Sequence, residues 1–335
     1  MRVICYAVGV RVLVTGATGF IGRRLVARLC DQGVRVRALV LPAEDASALG
    51  GGVDVERGDI TDPASLARAV AGQTRVYHLA AIVGDWGDEA LFQRVNVDGT
   101  RNVLDAAAAA GCARVVAVSS VVMYGAALQG DVCDEVATPR EYGVGPYSRS
   151  KRAAEEVALD YHAFGRVPVT VVRPGNVYGP ASAVWVDEVA RALRANRGVL
   201  IDGGDGDASL AYVDNVVDVL VRAGSADAAP GRIYNANDGS GVTWRRYLTD
   251  LAAIIGAPAP TRSIPGGVAM AMAAAMEKIA RWRGRAERPL LTREAVLLLR
   301  SRAEVSIRRA RDDLDYHPLV PYEEAMKRIA SYLEG

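Results

Sequence analysis

Cysteine is scarce in this chain, four residues in 335. Cys5, Cys30, Cys112 and Cys133 form no CxxC pair, so neither a disulfide framework nor a thiolate metal site is expected, and a reducing cytoplasmic setting fits. Histidine is scarcer. His78, His162 and His317 are too far apart in sequence for metal-ligand spacing. There is no excess of either charge: 40 basic against 39 acidic residues leave +1, which gives no global field to hold nucleic acid. Lysine is almost missing, with only Lys151, Lys278 and Lys327 among many arginines. No apolar run approaches the roughly 18 residues of a transmembrane helix. The opening residues 1–9 are mildly apolar but run into Val10-Arg11-Val12-Leu13-Val14 without a cleavage site. They read as an extension of the first strand or an upstream start.

With 50% hydrophobic and 24% charged residues, the composition is that of an ordinary globular protein. At roughly 150 residues per domain, the length suggests two domains or one large α/β unit. Short β-branched runs at 10–14, 34–40, 53–56, 75–79, 113–118 and 167–172 alternate with helical patterns at 20–32, 62–71, 88–110, 146–164 and 183–197. The runs are nearly continuously apolar, as strands buried on both faces of a parallel sheet must be. Asp62-Pro63 marks a helix start. The fold class is therefore α/β: a Rossmann-like, doubly wound parallel sheet with right-handed crossovers. From about residue 203 the pattern changes to a smaller, mostly helical lobe. Its strand is at 231–235 and its helices at 214–223, 243–255, 266–283, 290–300 and 321–333. We divide the chain into a dinucleotide-binding unit, 1–180, and a substrate-binding lobe, 181–335, with some elements of the second returning to the main sheet.

Two motifs carry chemistry. The first strand ends in Thr15-Gly16-Ala17-Thr18-Gly19-Phe20-Ile21-Gly22 and passes into a helix. Glycines there allow a tight turn and let backbone approach a pyrophosphate, which sits on the free N–H groups of the helix N-terminus. Tyr147-Ser148-Arg149-Ser150-Lys151 puts a phenol and an ammonium on one helix face. The ammonium is expected to lower the tyrosine pKa, so that Tyr147 exchanges a proton with an alcohol or ketone oxygen. Ser119-Ser120 follows a strand at its carboxyl end, where ligands bind in open α/β sheets, and the Ser120 hydroxyl is placed to hold a substrate oxygen.

Together these residues resemble the short-chain dehydrogenase/reductase superfamily in its extended, NAD-dependent epimerase/dehydratase form. The resemblance covers almost the whole chain. It implies cofactor contacts from Gly16, Thr18, Gly19, Phe20, Ile21 and Gly22. Asp59 and Ile60 are then expected at the adenine, with Leu79, Ala80, Ala81 and Val118 along the groove and Pro174 and Val177 beside the nicotinamide. It makes Ser120, Tyr147, Lys151 and Asn96 catalytic, Asn96 through its link to the active-site network, with Tyr147 and Lys151 also touching cofactor. It also implies a homodimer through the helices at 88–110 and 146–164, whose outer faces are expected to show Leu91, Val95, Ala107, Ala154, Val157 and Tyr161.

The cofactor is NAD or NADP. The second strand ends in Val40 and Leu41 where an acid would favour NAD, and Arg23, Arg37, Glu44 and Asp45 leave the choice open. The lobe resembles the 3β-hydroxysteroid dehydrogenase branch at Tyr234-Asn235-Ala236-Asn237-Asp238, Ser263-Ile264-Pro265, Pro289-Leu290-Leu291-Thr292 and 310–318. Ala208 stands where sugar-nucleotide enzymes carry a phosphate-binding arginine. The reading is an NAD(P)-dependent oxidoreductase interconverting hydroxyl and ketone on an apolar small molecule, of steroid, sterol, 3-oxoacyl or polyketide type. A nucleotide-sugar epimerase or dehydratase and a non-catalytic cofactor sensor stay open as alternatives. The methionine-rich stretch 268–276 reads as a buried lobe helix or as an adaptable apolar wall over the substrate. Trp185 and Trp282 lie close in sequence to apolar runs. Arg281, Arg283, Arg285 and Arg288 follow the stretch and read as a solvated face, with contact to a membrane surface the alternative.

Overall fold

A computed structural model of the protein describes residues 9–136 and 143–334; the reading of the first eight residues lies outside this range. Seven strands form one parallel sheet: β1 (Arg11–Thr15), β2 (Arg35–Val40), β3 (Asp54–Arg57), β4 (Arg75–His78), β5 (Arg114–Val118), β6 (Val169–Pro174) and β7 (Ile233–Ala236). Their order is β7-β6-β5-β4-β1-β2-β3, every pair parallel. The chain winds outward from β1 to β3, then returns to β4 on the other side of β1. That reversal opens a crevice at the carboxyl ends of β1 and β4.

The alternation of side chains along each strand decides what covers each face. Val12, Val14, Val36 and Ala38 pack on Leu25 and Leu29 of helix α1 (Phe20–Asp31) and on Val216 and Leu220 of α5 (Val213–Ser225). Leu13, Val76, Val115 and Val171 face the other way. They pack on α2 (Pro63–Val70), α3 (Gly99–Ala109) and α4 (Pro146–Ala163) through Leu66, Leu104 and Ala158. Asp62 caps α2 as its sequence predicts, its carboxylate accepting the N–H groups of Ala64 and Ser65 at 3.0 and 3.3 Å. β3 closes one edge with exposed Asp54 and Arg57, charges that discourage pairing with another chain.

The lobe comprises α6 (Trp244–Ile254), α7 (Gly266–Trp282), α8 (Arg293–Leu299), α9 (Arg308–Leu314) and α10 (Tyr322–Glu334), with short two- and three-residue strand pairs between them. Its core is aromatic: Tyr178 meets Tyr212 and Tyr247 edge-on at 5.6 and 5.9 Å. The sequence pattern has no sign of α9. It also misses two π-helical turns, Gln93–Asp98 and Ala183–Glu188, which interrupt helices that the apolar periodicity reads as continuous.

The expected outer dimer face is corrected. Ala107, Ala154 and Tyr161 are buried in their own subunit, Ala107 and Tyr161 among the core residues on that face of the sheet. Only Leu91, Val95 and Val157 remain half-buried.

One buried ion pair ties α4 to the sheet. Arg173 on β6 forks onto the Glu155 carboxylate, the two side chains 4% and 3% exposed. Its Nη1 donates to the Tyr124 hydroxyl at 2.8 Å, which lies 2.9 Å from Asn235 Oδ1 on β7. Truncating one partner strands the other charge. Glu155→Ala is therefore expected to cost about 3–5 kcal/mol, read from the urea unfolding midpoint. Joining it to Arg173→Met should recover much of that loss.

Candidate active site

Thr15 ends β1, and the chain turns at Gly16 with φ of 67°. A Cβ there would stand 2.7 Å from the Ala80 backbone nitrogen, so glycine alone lets the loop pass the end of β4. Thr15 Oγ1 accepts the Ala80 N–H at 3.2 Å and meets His78 Nδ1 at 2.8 Å. His78 Nε2 lies 2.9 Å from Thr100 Oγ1, which donates to the Asn96 carbonyl at 2.6 Å. Thr100 thus spends its hydrogen on Asn96 and accepts from His78. The imidazole is neutral: burial, aided by the Lys151 charge, lowers its pKa to about 3.

Gly19 is the N-cap of α1. No side chain caps this helix and no acid stands in its first turn. The N–H groups of Phe20, Ile21 and Gly22 are left for an anion. The nearest atom to a Cβ on Gly19 is the Gly16 oxygen at 3.2 Å, and otherwise the space over it is open. A cradle of backbone donors with no side chain in it fits a dinucleotide pyrophosphate. Thr18 Oγ1 donates to Glu44 Oε1 at 2.6 Å, bringing an acid from the end of β2 to this loop.

Leu79, Ala80, Ala81, Val118 and Val177 are half-buried along the same crevice, with Pro174 buried at the end of β6. Asp59 Oδ1 accepts the Thr61 N–H and hydroxyl at 2.8 and 2.9 Å. The Ile60 side chain packs in the core under Gly99, and its carbonyl accepts from Asn102 Nδ2 at 3.0 Å.

The crevice leads to Ser120 at the end of β5. Its Oγ accepts the Val122 N–H at 3.3 Å, capping the short helix Val121–Gln129, and hydrogen-bonds the Tyr147 side chain. Lys151 lies one turn along α4 from Tyr147 and donates to the Val118 carbonyl at 2.5 Å. A serine, a phenol and a buried ammonium therefore converge beside an anion cradle.

A family model described as NAD dependent epimerase/dehydratase matches residues 12–236, from β1 to the end of β7. The chain belongs to that family. It is 30% identical to the 2-alkyl-3-oxoalkanoate reductase of Stenotrophomonas maltophilia, with 95% of this chain and 98% of the relative covered. It is 29% identical to a 3 beta-hydroxysteroid dehydrogenase/Delta 5-->4-isomerase of Mycobacterium tuberculosis, with 96% and 90% covered. Among solved structures it is similar to a Thermus thermophilus UDP-glucose 4-epimerase in complex with NAD. There the TM-score is 0.74 and the identity 25%, with 97% and 99% covered. Family membership makes the chain an enzyme that uses NAD or NADP.

Electrostatics correct one expectation for this family member. The pKa of Tyr147 is not lowered. Burial and the nearby Glu294 carboxylate hold it well above its ordinary value, and the Ser120 hydrogen bond opposes them only in part. Burial also brings the Lys151 pKa down to about 8, against the pull of Glu155. The resting phenol is a proton donor.

Asn96 sits in the first π-helical turn, buried. Its Oδ1 accepts the Ile82 N–H at 2.7 Å, and its Nδ2 donates to the Ile82 carbonyl and to Ser150 Oγ at 3.0 and 2.9 Å. It fastens the loop after β4 to α4.

Glu294 was missed. It comes from α8, and its Oε2 accepts the Ser148 hydroxyl at 2.7 Å and the Ser148 N–H at 3.3 Å. Nothing in sequence links positions 146 residues apart. In the structure Thr292, two residues earlier, caps α8 by accepting the Ala295 N–H at 3.2 Å. Burial raises the Glu294 pKa from 4.5 to about 7, with Asp85 adding and Ser148 and Arg149 opposing. The folded state thus holds a proton that the unfolded chain releases. Glu294 stabilises most below about pH 4.5, and that contribution fades as pH rises through about 7. Glu294→Gln keeps an acceptor for Ser148 and removes the titration. It should flatten the fall in stability across this window by about 3 kcal/mol, read from urea unfolding at pH 5 and pH 8.

Proposed function

We propose that this enzyme reduces a ketone on an apolar small molecule, with NAD(H) as redox partner. The convergence of Ser120, Tyr147 and the buried Lys151 ammonium beside the uncapped N-terminus of α1 carries the proposal. When bound, the dinucleotide supplies or accepts the hydride. Ser120 Oγ orients the substrate oxygen, and Tyr147 Oη delivers the proton as charge grows there. Lys151 holds the nicotinamide ribose and provides positive charge beside the phenol. Phe20, Ile21 and Gly22 receive the pyrophosphate on their N–H groups, in the space that Gly19 leaves free.

The preference for NAD is supported by two contacts. Glu44 stands on the glycine loop, and Arg37, a candidate for a ribose phosphate, is engaged by Asp54 at 2.6 Å and by carbonyls of α2. The apolar substrate is supported by Ala208, which is fully buried and offers no cation where sugar-nucleotide enzymes carry arginine. Two relatives point the same way by name, an oxoalkanoate reductase and a hydroxysteroid dehydrogenase. In this reading residues 1–180 hold the cofactor and 181–335 shape the substrate site, with α5 and β7 returned to the sheet. A cytoplasmic homodimer through the helical segments 88–110 and 146–164, with Leu91, Val95 and Val157 at the contact, completes it.

Tyr147→Phe should cut turnover by at least ~10²–10⁴-fold while the affinity for NAD survives. The assay is nicotinamide absorbance with 3-oxoacyl compounds, hydroxysteroids and ketosteroids, and nucleotide sugars. Near-normal turnover would remove Tyr147 from the mechanism. Exclusive response to a nucleotide sugar would place the chain among the epimerases instead.

Calorimetric titration tests the cradle. Gly19→Val should abolish NAD binding with little change in the unfolding midpoint, and the parent should bind NAD at least tenfold more tightly than NADP, about 1.4 kcal/mol. Equal binding by parent and variant would put the phosphates elsewhere.

A further inference from the structure

Helix α7 is built inside out. Its buried positions are Gly266, Ala269, Ala273, Glu277 and Ala280, small residues and one acid. Met270 packs against a small core cluster and Met276 is half-buried, but four other large apolar side chains face outward: Val268 is 51% exposed, Met272 40%, Ile279 49% and Trp282 82%. This overturns the reading of 268–276 as a buried helix. Spacings of four, seven and three residues put these four on one stripe. No exposed residue of α7 is acidic: Glu277 is buried and paired with Arg293 at 2.9 Å.

Cations flank the end of the stripe. Among the described residues, Lys278, Arg283 and Arg285 are exposed and take part in no ion pair. The chain as a whole has a net charge of only +1, so this concentration is local. Two other arginines anchor the surface to the protein. Arg281 lies over the Trp86 ring at 5.3 Å, and Arg288 pairs with Asp85. Both contacts reach the loop that leaves β4, next to Leu79, Ala80 and Ala81 on the cofactor crevice.

We propose that α7 and the basic stretch after it dock on an anionic lipid surface. An apolar stripe ended by a tryptophan and bordered by lysine and arginine matches the boundary between acyl chains and acidic headgroups. A second copy of this chain would bring the same cations together, and their repulsion disfavours that occupant. Among the described residues no helix is long and apolar enough to cross a membrane, so α7 would lie in the interface plane. The inference does not depend on the reaction proposed above.

Flotation of the full chain with vesicles tests it. One set is phosphatidylcholine alone, the other phosphatidylcholine mixed with phosphatidylglycerol. At low salt the anionic vesicles should carry at least about tenfold more protein, and high salt should reduce this. Ile279→Glu with Trp282→Glu should abolish flotation. Lys278→Glu with Arg283→Glu and Arg285→Glu should lower it by about tenfold or more. All five side chains are exposed, so unfolding midpoint and NAD affinity should match the parent. Absence of flotation overturns the proposal, as does equal flotation with both lipids or flotation unchanged in the variants. A dimer in light scattering that Ile279→Glu with Trp282→Glu converts to monomer would assign the stripe to a second copy, which also overturns it.

Discussion

Lys151 carries an ammonium group in a side chain only 7% exposed, held by one carbonyl at the end of β5. Burying such a charge is costly unless other charges and dipoles support it. Much of the surrounding arrangement provides that support. Glu155, one turn further along α4, attracts the ammonium, and Arg173 on β6 in turn holds Glu155 in place. His78 nearby is kept neutral, so it adds no second positive charge. The ammonium is thus stabilised enough to stay, yet its pKa is depressed, which leaves it ready to engage a ligand. The site is a compromise between folding and chemistry, placed where two strands diverge.

Around that charge, positions are fixed by backbone as much as by side chains. Gly16 lets the first loop touch the end of β4, and Thr15, His78, Thr100 and Asn96 continue the contact into α4 through a chain of hydrogen bonds. The anion cradle and the proton donor are therefore parts of one rigid frame. Glu294 adds the lobe to it. A carboxylate from α8 touches the first turn of α4, so the lobe also bears on the protonation of Tyr147.

The sheet and its flanking helices were legible because their causes are local and periodic. Continuous runs such as Val115-Val116-Ala117-Val118 have no solvent face, and Asp62-Pro63 states its helix start in two residues. The glycine loop and Tyr147-x-x-x-Lys151 were legible for the same reason, since each is a short spacing with one geometry. What the sequence hid depends on distant partners. The burial of Tyr147 beside Glu294 reverses the pKa shift that its lysine neighbour suggests. Val268, Met272 and Ile279 follow the same helical spacing as a core stripe, and only the packing of Ala269, Ala273 and Ala280 shows which face is inward. The π-helical turn at Asn96 leaves no mark in an apolar pattern that continues through it.

The central claim is that the anion cradle of α1 and the Ser120–Tyr147–Lys151 cluster serve one dinucleotide. A crystal structure of the protein grown with NAD measures this directly. The account predicts the pyrophosphate on the N–H groups of Phe20, Ile21 and Gly22, the nicotinamide beside Tyr147, and Lys151 Nζ within hydrogen-bond distance of the nicotinamide ribose. A dinucleotide bound elsewhere, or one on the cradle with its nicotinamide remote from Tyr147 and Lys151, would contradict it.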